Sequence, residues 1–219
     1  MPTLLLVRHG QASFGAADYD VLSERGAEQA AAVHAALAAR GVVPATVVSG
    51  ALRRQTATAE PWGTDPQVDP RWNEYATEDV QRHHASVPAS LEHREDAPQL
   101  SSRDFQVLLE EALLGWIAAG AGGPADEPWP AFKARCAAAL DEAMAGLRSG
   151  QTGVVFTSGG VIAACAAGLL GVPDEALVPL NRVAVNGAVT KVVGGRRGST
   201  LVSYNEHAHL EAGALVTYR

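Results

Sequence analysis

The chain has 219 residues, of which 47% are hydrophobic, and its formal net charge at pH 7 is −7. This length and apolar content are typical of a single globular domain with a sizeable core, and they exclude an intrinsically disordered protein. The net negative charge argues against binding to nucleic acids or to anionic membranes, because both are densely negative themselves.

The chain contains no apolar run that approaches the roughly 18 residues of a membrane-spanning helix. The first apolar run, residues 4–7, is also too short for the core of a signal peptide, and no basic region precedes it. The two cysteines, Cys136 and Cys165, lie in alanine-rich segments, which favours buried free thiols over a disulfide. We therefore predict a cytoplasmic protein.

The first predicted element is a strand at residues 3–7, followed by Arg8, His9, Gly10 and Gln11. Its unbroken apolar run is typical of a strand buried on both faces, as in a parallel sheet. Open α/β sheets bind their ligands at the carboxyl ends of the strands, where these side chains follow. A guanidinium group binds an oxyanion through a bidentate fork, an imidazole can act as a nucleophile, and a glycine lets the backbone approach a ligand closely. This junction predicts a phosphate pocket.

The next elements repeat the pattern of a strand followed by cationic side chains. Ser23 has the position of an N-cap for an alanine-rich helix over residues 24–40. A strand over residues 46–49 then leads into a helix over residues 53–60, which begins with Arg53 and Arg54. The ends of two strands thus carry arginine side chains, as a site for an anion requires.

The stretch from residue 61 to about residue 102 interrupts this alternation. It contains five prolines, and we predict that it forms an irregular excursion over the active site. Glu74 lies within it, three residues after Arg71.

The remaining elements complete an alternation of strands and helices. A glycine-rich segment at residues 194–198 is typical of a hairpin, which makes one edge of the sheet antiparallel. The pattern predicts a single α/β domain over residues 1–219: a three-layer sandwich with a mostly parallel, doubly wound sheet and an antiparallel edge strand. These later strands are predicted at residues 154–157, 188–193 and 201–204, and the later helices at residues 104–118, 129–147 and 160–170.

The order of these motifs resembles that of the histidine phosphatase superfamily, the phosphoglycerate-mutase-like proteins. The resemblance covers nearly the whole chain, because seven motifs follow one another in the family's order. They are Arg8-His9-Gly10, the Leu-Ser-x-x-Gly-x-x-Gln-Ala segment at residues 22–30, an arginine ahead of Thr58-Ala59, Arg71-Trp72-x-Glu74, Ser158-Gly159-Gly160-Val161, Asn186-Gly187-x-Val189-Thr190 and Asn205-x-x-x-His209-Leu210.

The resemblance implies a phosphomonoester hydrolase of the histidine phosphatase type. His9 is then the nucleophile that becomes transiently phosphorylated, and Glu74 is the general acid that protonates the leaving oxygen. The family spacing, counted back from Thr58-Ala59, selects Arg54 as the second phosphate-binding arginine, with Arg53 as a neighbour at the rim. The residues expected to bind the substrate are Arg8, Gly10, Gln11, Arg54, Ser158 and Gly159.

The chief departure from the family is Ser158, where the family commonly has a histidine. A serine hydroxyl can donate one hydrogen bond but carries no charge. Losing a preorganised cationic donor would cost on the order of 10²–10³ in rate if nothing replaced it. Two replacements stay open: the backbone amides of Gly159 and Gly160 at a helix start, or the imidazole of His207 or His209.

The resemblance implies neither a cofactor nor a metal, because the arginines supply the charge that Mg²⁺ supplies in other phosphoryl-transfer enzymes. The expected partner is a small-molecule phosphomonoester, and the sequence indicates no oligomeric state. Trp62, Trp72 and Tyr75 suit an apolar or ring-bearing leaving group.

Two alternatives to hydrolysis stay open. Ser158 also fits a non-catalytic family member that only binds phosphate. A phosphoglycerate mutase is less favoured, because residues 74–96 contain six acidic residues and two arginines, so a bisphosphate would meet few cations there.

Overall fold

The computed structural model describes residues 1–13, 20–63, 65–84 and 102–218, with the backbone alone at residues 102 and 103. The chain falls into two compact units. The larger unit comprises Met1–Glu74 and Arg135–Arg219, and the smaller unit comprises Tyr75–Ala134.

The larger unit contains a six-stranded sheet. Its strands are β1 (Thr3–Arg8), β2 (Thr46–Ser49), β3 (Gln67–Val68), β4 (Thr152–Thr157), β5 (Val189–Gly195) and β6 (Gly198–Glu206). They lie in the order β3-β2-β4-β1-β5-β6, and every pair of neighbours is parallel except those that involve β5, which is antiparallel to both β1 and β6. Helices flank the sheet. This confirms the predicted α/β fold with a mostly parallel sheet and an antiparallel edge.

The α-helices begin and end close to the predicted residues in most cases. They are α1 (Glu24–Ala39), α2 (Arg53–Ala59), α3 (Thr77–His84), α4 (Ser102–Ala119), α5 (Trp129–Ala145), α6 (Gly159–Leu170), α7 (Leu177–Val183) and α8 (Ala208–Glu211). Ser23 caps α1 as predicted, since its side chain accepts a hydrogen bond from the Gly26 backbone N–H. None of the helices in the described ranges is long and apolar enough to cross a membrane.

The apolar run of β1 is buried on both faces of the sheet. The side chains of residues 4–7 are at most 4% exposed, which agrees with a central strand between two parallel or antiparallel neighbours. On one face, Leu5 and Val7 join a core cluster with Val33 and Leu37 of α1 and with Phe156 of β4. This packing fixes the end of β1, where His9 follows.

The smaller unit has an aromatic core of its own. Trp116 of α4 lies between Tyr75, Trp129 and Phe132, with ring centroids 5.3 to 5.5 Å away. Its indole N–H donates to the backbone oxygen of Glu127 at 2.8 Å, so the one polar atom of this buried ring has a hydrogen-bond partner.

The predicted irregular excursion over residues 61–102 is wrong in its described part. This segment contains β3, α3 and two turns of 3-10 helix, Glu60–Trp62 and Pro70–Trp72. The hydrophobic periodicity of the sequence does not reveal these elements, because β3 has only two residues, both exposed, and α3 is short and mostly polar. Residue 64 and residues 85–101 of the excursion lie outside the described residues.

Candidate active site

The carboxyl ends of three parallel strands meet at one edge of the sheet. β1 pairs with β4 in a register that matches Arg8 with Thr157, and β2 pairs with β4 on its other side. The His9 backbone N–H continues the ladder by donating to the Thr157 oxygen at 2.8 Å. His9 and Ser158 therefore follow two neighbouring strands at the same level of the sheet, as expected for a site at strand ends.

His9 has the hydrogen bonds of a neutral imidazole. Nδ1 lies 2.7 Å from the Gly10 backbone oxygen, which can only accept, so Nδ1 carries the proton. Nε2 therefore has a lone pair, and it accepts a hydrogen bond from Nε of Arg54 at 3.2 Å. Burial lowers the pKa of the His9 ring well below its usual value, and the positive charges of Arg54 and Arg8 lower it further. The ring is thus uncharged at neutral pH.

Arg54 is oriented by a carboxylate that the sequence reasoning did not identify. Asp20 accepts from Nη1 of Arg54 at 2.7 Å and from the backbone N–H of Arg53 at 2.8 Å. It thus binds the guanidinium and also caps the first turn of α2. Arg54, which the family spacing selects, is the arginine that contacts His9. The Arg53 side chain is exposed.

Arg8 extends from the last position of β1 beneath the start of α6. Its Nη1 donates to the backbone oxygens of Ala184 and, at 3.0 Å, Tyr218. A Cβ atom at Gly159 would lie 3.3 Å from Nε of Arg8 and 2.6 Å from the side-chain oxygen of Asn181. Gly159 is therefore needed for space, since only a residue without a side chain admits this close approach.

Glu74 lies at the amino terminus of α6. Its Oε2 accepts from the Gly160 backbone N–H at 2.9 Å, where a helix end favours a negative group. Arg135 holds the segment that leads to Glu74, because its Nη1 donates to the backbone oxygens of Arg71 and Asn73 at 2.7 Å. The Gly160 amide, considered above as a substitute for the missing histidine, is thus already bound to the carboxylate.

Ser158 is fully buried and is held by Gln55, a second residue that the sequence reasoning missed. Nε2 of Gln55 donates to the Ser158 hydroxyl oxygen at 2.8 Å and to the Trp72 backbone oxygen at 3.0 Å. Gln55 thus joins the strand end at Ser158 to the segment that carries Glu74.

Gly10 and Gln11 connect β1 to the start of α1. A methyl group at Gly10 would overlap the backbone oxygen of Gly26, so the two backbones touch at this point. The Gly10 N–H donates to the Thr58 hydroxyl at 3.0 Å, and the Gln11 side chain accepts from Ser23 at 3.1 Å. Gln11 is therefore engaged with the helix N-cap.

Two candidate histidines do not contact this cluster. Nδ1 of His207 lies 2.6 Å from the Asn205 backbone oxygen, and Nε2 of His209 lies 3.0 Å from that of Gly187. Among the described contacts, neither ring reaches His9, Arg54 or Ser158.

The three aromatic residues proposed for a leaving group are occupied elsewhere. Trp72 is 1% exposed, Tyr75 belongs to the aromatic core of the smaller unit, and Trp62 packs on Phe156 of the sheet. The interpretation as a surface for an apolar leaving group is therefore wrong for Trp72 and Tyr75, which are buried, whereas Trp62 is partly exposed.

The described residues contain no group of three or more histidine, cysteine, aspartate or glutamate side chains that could hold a metal ion. The charges at the site come instead from two guanidinium groups beside a neutral imidazole. Such an arrangement can bind a phosphoryl group and present a nucleophilic nitrogen to it.

The sequence also matches the model of a known protein family. The sequence model of the histidine phosphatase superfamily (branch 1) matches residues 4–207. No curated protein sequence matches the chain.

Several solved structures share the fold. A mycobacterial glucosyl-3-phosphoglycerate phosphatase in complex with inorganic phosphate is 25% identical, with a TM-score of 0.62, over 94% of this chain and 98% of that one. Bacillus stearothermophilus YhfR is 18% identical, with a TM-score of 0.68, over 96% and 100%. A phosphoserine phosphatase from Entamoeba histolytica is 19% identical, with a TM-score of 0.62, over 96% and 100%.

Proposed function

The chain belongs to the histidine phosphatase superfamily, and on this premise we propose that it hydrolyses small phosphate monoesters through a phosphohistidine on His9. The observation that carries the proposal is the state of the His9 ring. Its Nδ1 proton is bound to the Gly10 oxygen, so the Nε2 lone pair faces the guanidinium of Arg54. An uncharged nucleophile next to a fixed cation suits attack on a phosphoryl group.

In the first step, a phosphoryl oxygen of the substrate replaces Nε2 of His9 as the acceptor of the hydrogen bond from the Arg54 guanidinium. The Nε2 lone pair then attacks phosphorus while the bond from phosphorus to the ester oxygen breaks. Glu74 gives its proton to the leaving oxygen, so an alcohol departs instead of an alkoxide. Arg8 and Arg54 bind the phosphoryl oxygens, and the Ser158 hydroxyl donates to them.

In the second step, water attacks phosphorus and the bond from phosphorus to Nε2 breaks. The Glu74 carboxylate takes a proton from the attacking water, which restores the acid, and the electron pair of the broken bond returns to Nε2. Inorganic phosphate leaves. No redox change or further reactant is needed.

The amino-acid composition of the segment that follows Glu74 favours hydrolysis over mutase transfer. Residues 74–96 contain six acidic residues and two arginines, a poor setting for a second phosphate. Two of the similar structures are phosphatases by name, for glucosyl-3-phosphoglycerate and for phosphoserine, which also supports hydrolysis of a monoester. The buried free thiols of Cys136 and Cys165 support a reducing compartment such as the cytoplasm.

The proposal is tested with p-nitrophenyl phosphate and with the variant His9→Ala. We expect turnover by the parent chain and a loss of at least about 10³-fold in kcat for the variant, since the nucleophile is removed. His34→Gln, a change of a histidine on α1, serves as the matched control and keeps the parent rate.

Phosphate labelling identifies the intermediate. Rapid quenching of the parent with a ³²P-labelled ester should trap a label that survives base and is lost in acid, as a phosphoramidate bond requires, and His9→Ala should trap none. A base-labile label, or labelling of His9→Ala, would refute the mechanism. Conversion of 3-phosphoglycerate to its 2-isomer would favour the mutase, and phosphate binding without any turnover would favour the non-catalytic alternative.

A further inference from the structure

Among the described residues, no protein group accepts a hydrogen bond from the Ser158 hydroxyl. Ser158 is 0% exposed, and among the described residues the hydrogen bond to its oxygen comes from Nε2 of Gln55, which is a donor. An amide nitrogen cannot accept a proton, so the hydroxyl hydrogen must point elsewhere. The Gln55 amide satisfies the oxygen of this hydroxyl, so the hydroxyl proton alone lacks an acceptor among the described residues.

The orientation of the Gln55 amide is set by the backbone on both sides. Its oxygen accepts from the Leu52 N–H at 3.3 Å, and its nitrogen donates to the Trp72 oxygen at 3.0 Å. A flipped amide would place an oxygen against the Trp72 oxygen and an NH₂ group against the Leu52 N–H, and both contacts would be repulsive. The direction of the bond to Ser158 is therefore fixed as well.

Helix capping does not explain the hydroxyl. Ser158 occupies the N-cap position of α6, yet its side chain makes no capping hydrogen bond, and the Gly160 N–H donates to Glu74 instead. Ser158 lies between groups of the proposed reaction: it follows Thr157, whose oxygen accepts from the His9 N–H, and precedes Gly159, which lies against Arg8.

We propose that Gln55 is a positioning residue, which occupies the acceptor side of the Ser158 hydroxyl and thereby directs its proton to an oxygen of the phosphoryl group. This inference rests on the proposed function. The serine then supplies an oriented neutral donor where the family commonly has a histidine, and Gln55 provides the orientation without contact with the substrate. The same amide also holds the segment before Glu74, so the donor and the acid are placed by one side chain.

The test compares kcat for Ser158→Ala, Gln55→Glu and the double variant across pH, with p-nitrophenyl phosphate as the substrate. We expect Ser158→Ala to lower kcat on the order of 10²-fold with a smaller change in KM, as for the loss of one transition-state donor. The ionised carboxylate of Gln55→Glu can only accept, so it takes the Ser158 proton for itself. Gln55→Glu should therefore lose kcat as the pH rises and the new carboxyl ionises, down to the level of Ser158→Ala.

The double variant separates positioning from a structural role. If Gln55 acts on the reaction through Ser158, the pH-dependent fall in kcat that Gln55→Glu causes in the parent disappears in the Ser158→Ala background. An equal loss in both backgrounds, or the absence of the pH-dependent fall, would overturn the proposal. Gln151→Glu, at a site where the side chain accepts from the Arg148 N–H, is the matched control and should leave kcat unchanged.

A second variant covers the case in which Gln55→Glu does not fold. Gln55→Met keeps the volume and removes the bonds of the amide to both Ser158 and Trp72, so it should lower kcat about 10-fold more in the parent than in the Ser158→Ala background. Equal effects in both would again refute the inference. Failure of the proposed function looks different, because then the parent chain itself forms no phosphohistidine.

Discussion

The reactivity of His9 is set by two opposing effects on its ring. Burial and two guanidinium groups disfavour the imidazolium form, whereas the hydrogen bond to the Gly10 oxygen favours it, and the net result is a pKa well below the usual value. A lowered pKa keeps Nε2 unprotonated in mildly acidic solution, where a solvent-exposed histidine would already carry a proton. The Nε2 lone pair of His9, the proposed nucleophile, is thus available over a wide pH range.

Arg54→Gln should raise the pKa of His9, because it removes the second largest of the effects that lower it. The acidic limb of kcat/KM, which reports the free enzyme, then moves to higher pH. The loss of a charged donor should also lower kcat/KM on the order of 10²–10³-fold.

The His9 titration can be followed directly by NMR of its ring protons. Arg25→Gln, which removes an exposed arginine from the first turn of α1, is the control and should leave the pKa of His9 unchanged. An unchanged pKa in Arg54→Gln would contradict the assigned electrostatic role.

Glu74→Gln tests proton donation to the leaving group. The amide oxygen of glutamine can still accept from the Gly160 N–H, so the local structure is preserved while the acid is lost. An alkyl phosphate needs a protonated leaving oxygen far more than p-nitrophenyl phosphate does. We expect kcat/KM to fall about 10²–10⁴-fold for the alkyl ester and much less for the aryl ester. Equal losses for both esters would show that Glu74 is not the acid, and Glu60→Gln is the control.

At the level of elements, the site depends on close contact between the β1 end and α1. Gly10 and Gly26 are adjacent, and a methyl group on either would overlap a backbone oxygen of the other segment. These glycines are therefore required by space, although neither has a positive φ.

Gly26→Ala should therefore lower the free energy of unfolding by roughly 1–3 kcal/mol, the usual cost of overpacking. Gly168→Ala is the matched control: its added methyl group meets no atom within 4 Å, and an alanine in the exposed part of α6 should stabilise by up to about 1 kcal/mol. Urea unfolding of both variants measures the difference. Equal or reversed effects would contradict the steric argument.

Most elements could be predicted from the sequence, including the short β2 and α2, whereas β3, α3, α7 and α8 could not. The apolar run of β1 and the alanine-rich α1 each carry a pattern long enough to be distinctive. α7 contains Pro179 and α8 has four residues, so neither has a helical period to detect.

The same limit applies to the site. Arg8 and His9 could be proposed because they end a recognisable strand, and Arg54 because the family spacing selects it over Arg53. Asp20 and Gln55 act across 34 and 103 residues of sequence, to Arg54 and Ser158, and no local pattern signals such pairs.

At the scale of the larger unit, distant segments converge on the carboxyl end of β1. Arg8 donates to the Ala184 and Tyr218 backbone oxygens, and Gln29 of α1 donates to the Leu215 oxygen at 2.7 Å. The segment after α8 is therefore bound to both sides of the first strand-to-helix turn. Opening of that segment would also disturb the Arg8 side chain.

The stability of the fold should also depend on the protonation of His9, which is buried, and of His209, which is half-buried. The pKa values of His9 and His209 are both lowered in the folded chain, chiefly by burial. In the unfolded chain both should titrate near 6.5. The unfolded state then binds more protons at acidic pH, so their contribution to stability is present above about pH 6.5 and is lost as the pH falls below it.

For His9, which is fully buried, the free energy of unfolding should fall by up to about 1.4 kcal/mol per pH unit below that point. The pKa of the Asp69 carboxyl is lowered by Arg71 in the folded chain, and an aspartate of the unfolded chain titrates near 4. Asp69 therefore affects the free energy of unfolding only at lower pH than the histidines. Urea unfolding between pH 7.5 and 5.5 therefore isolates the histidines. His9→Gln should flatten the slope in this range, and Gly168→Ala, which changes no titrating group, should keep it. A slope unchanged by His9→Gln would mean that the ring is already protonated in the folded chain, which would also deprive the proposed nucleophile of its lone pair.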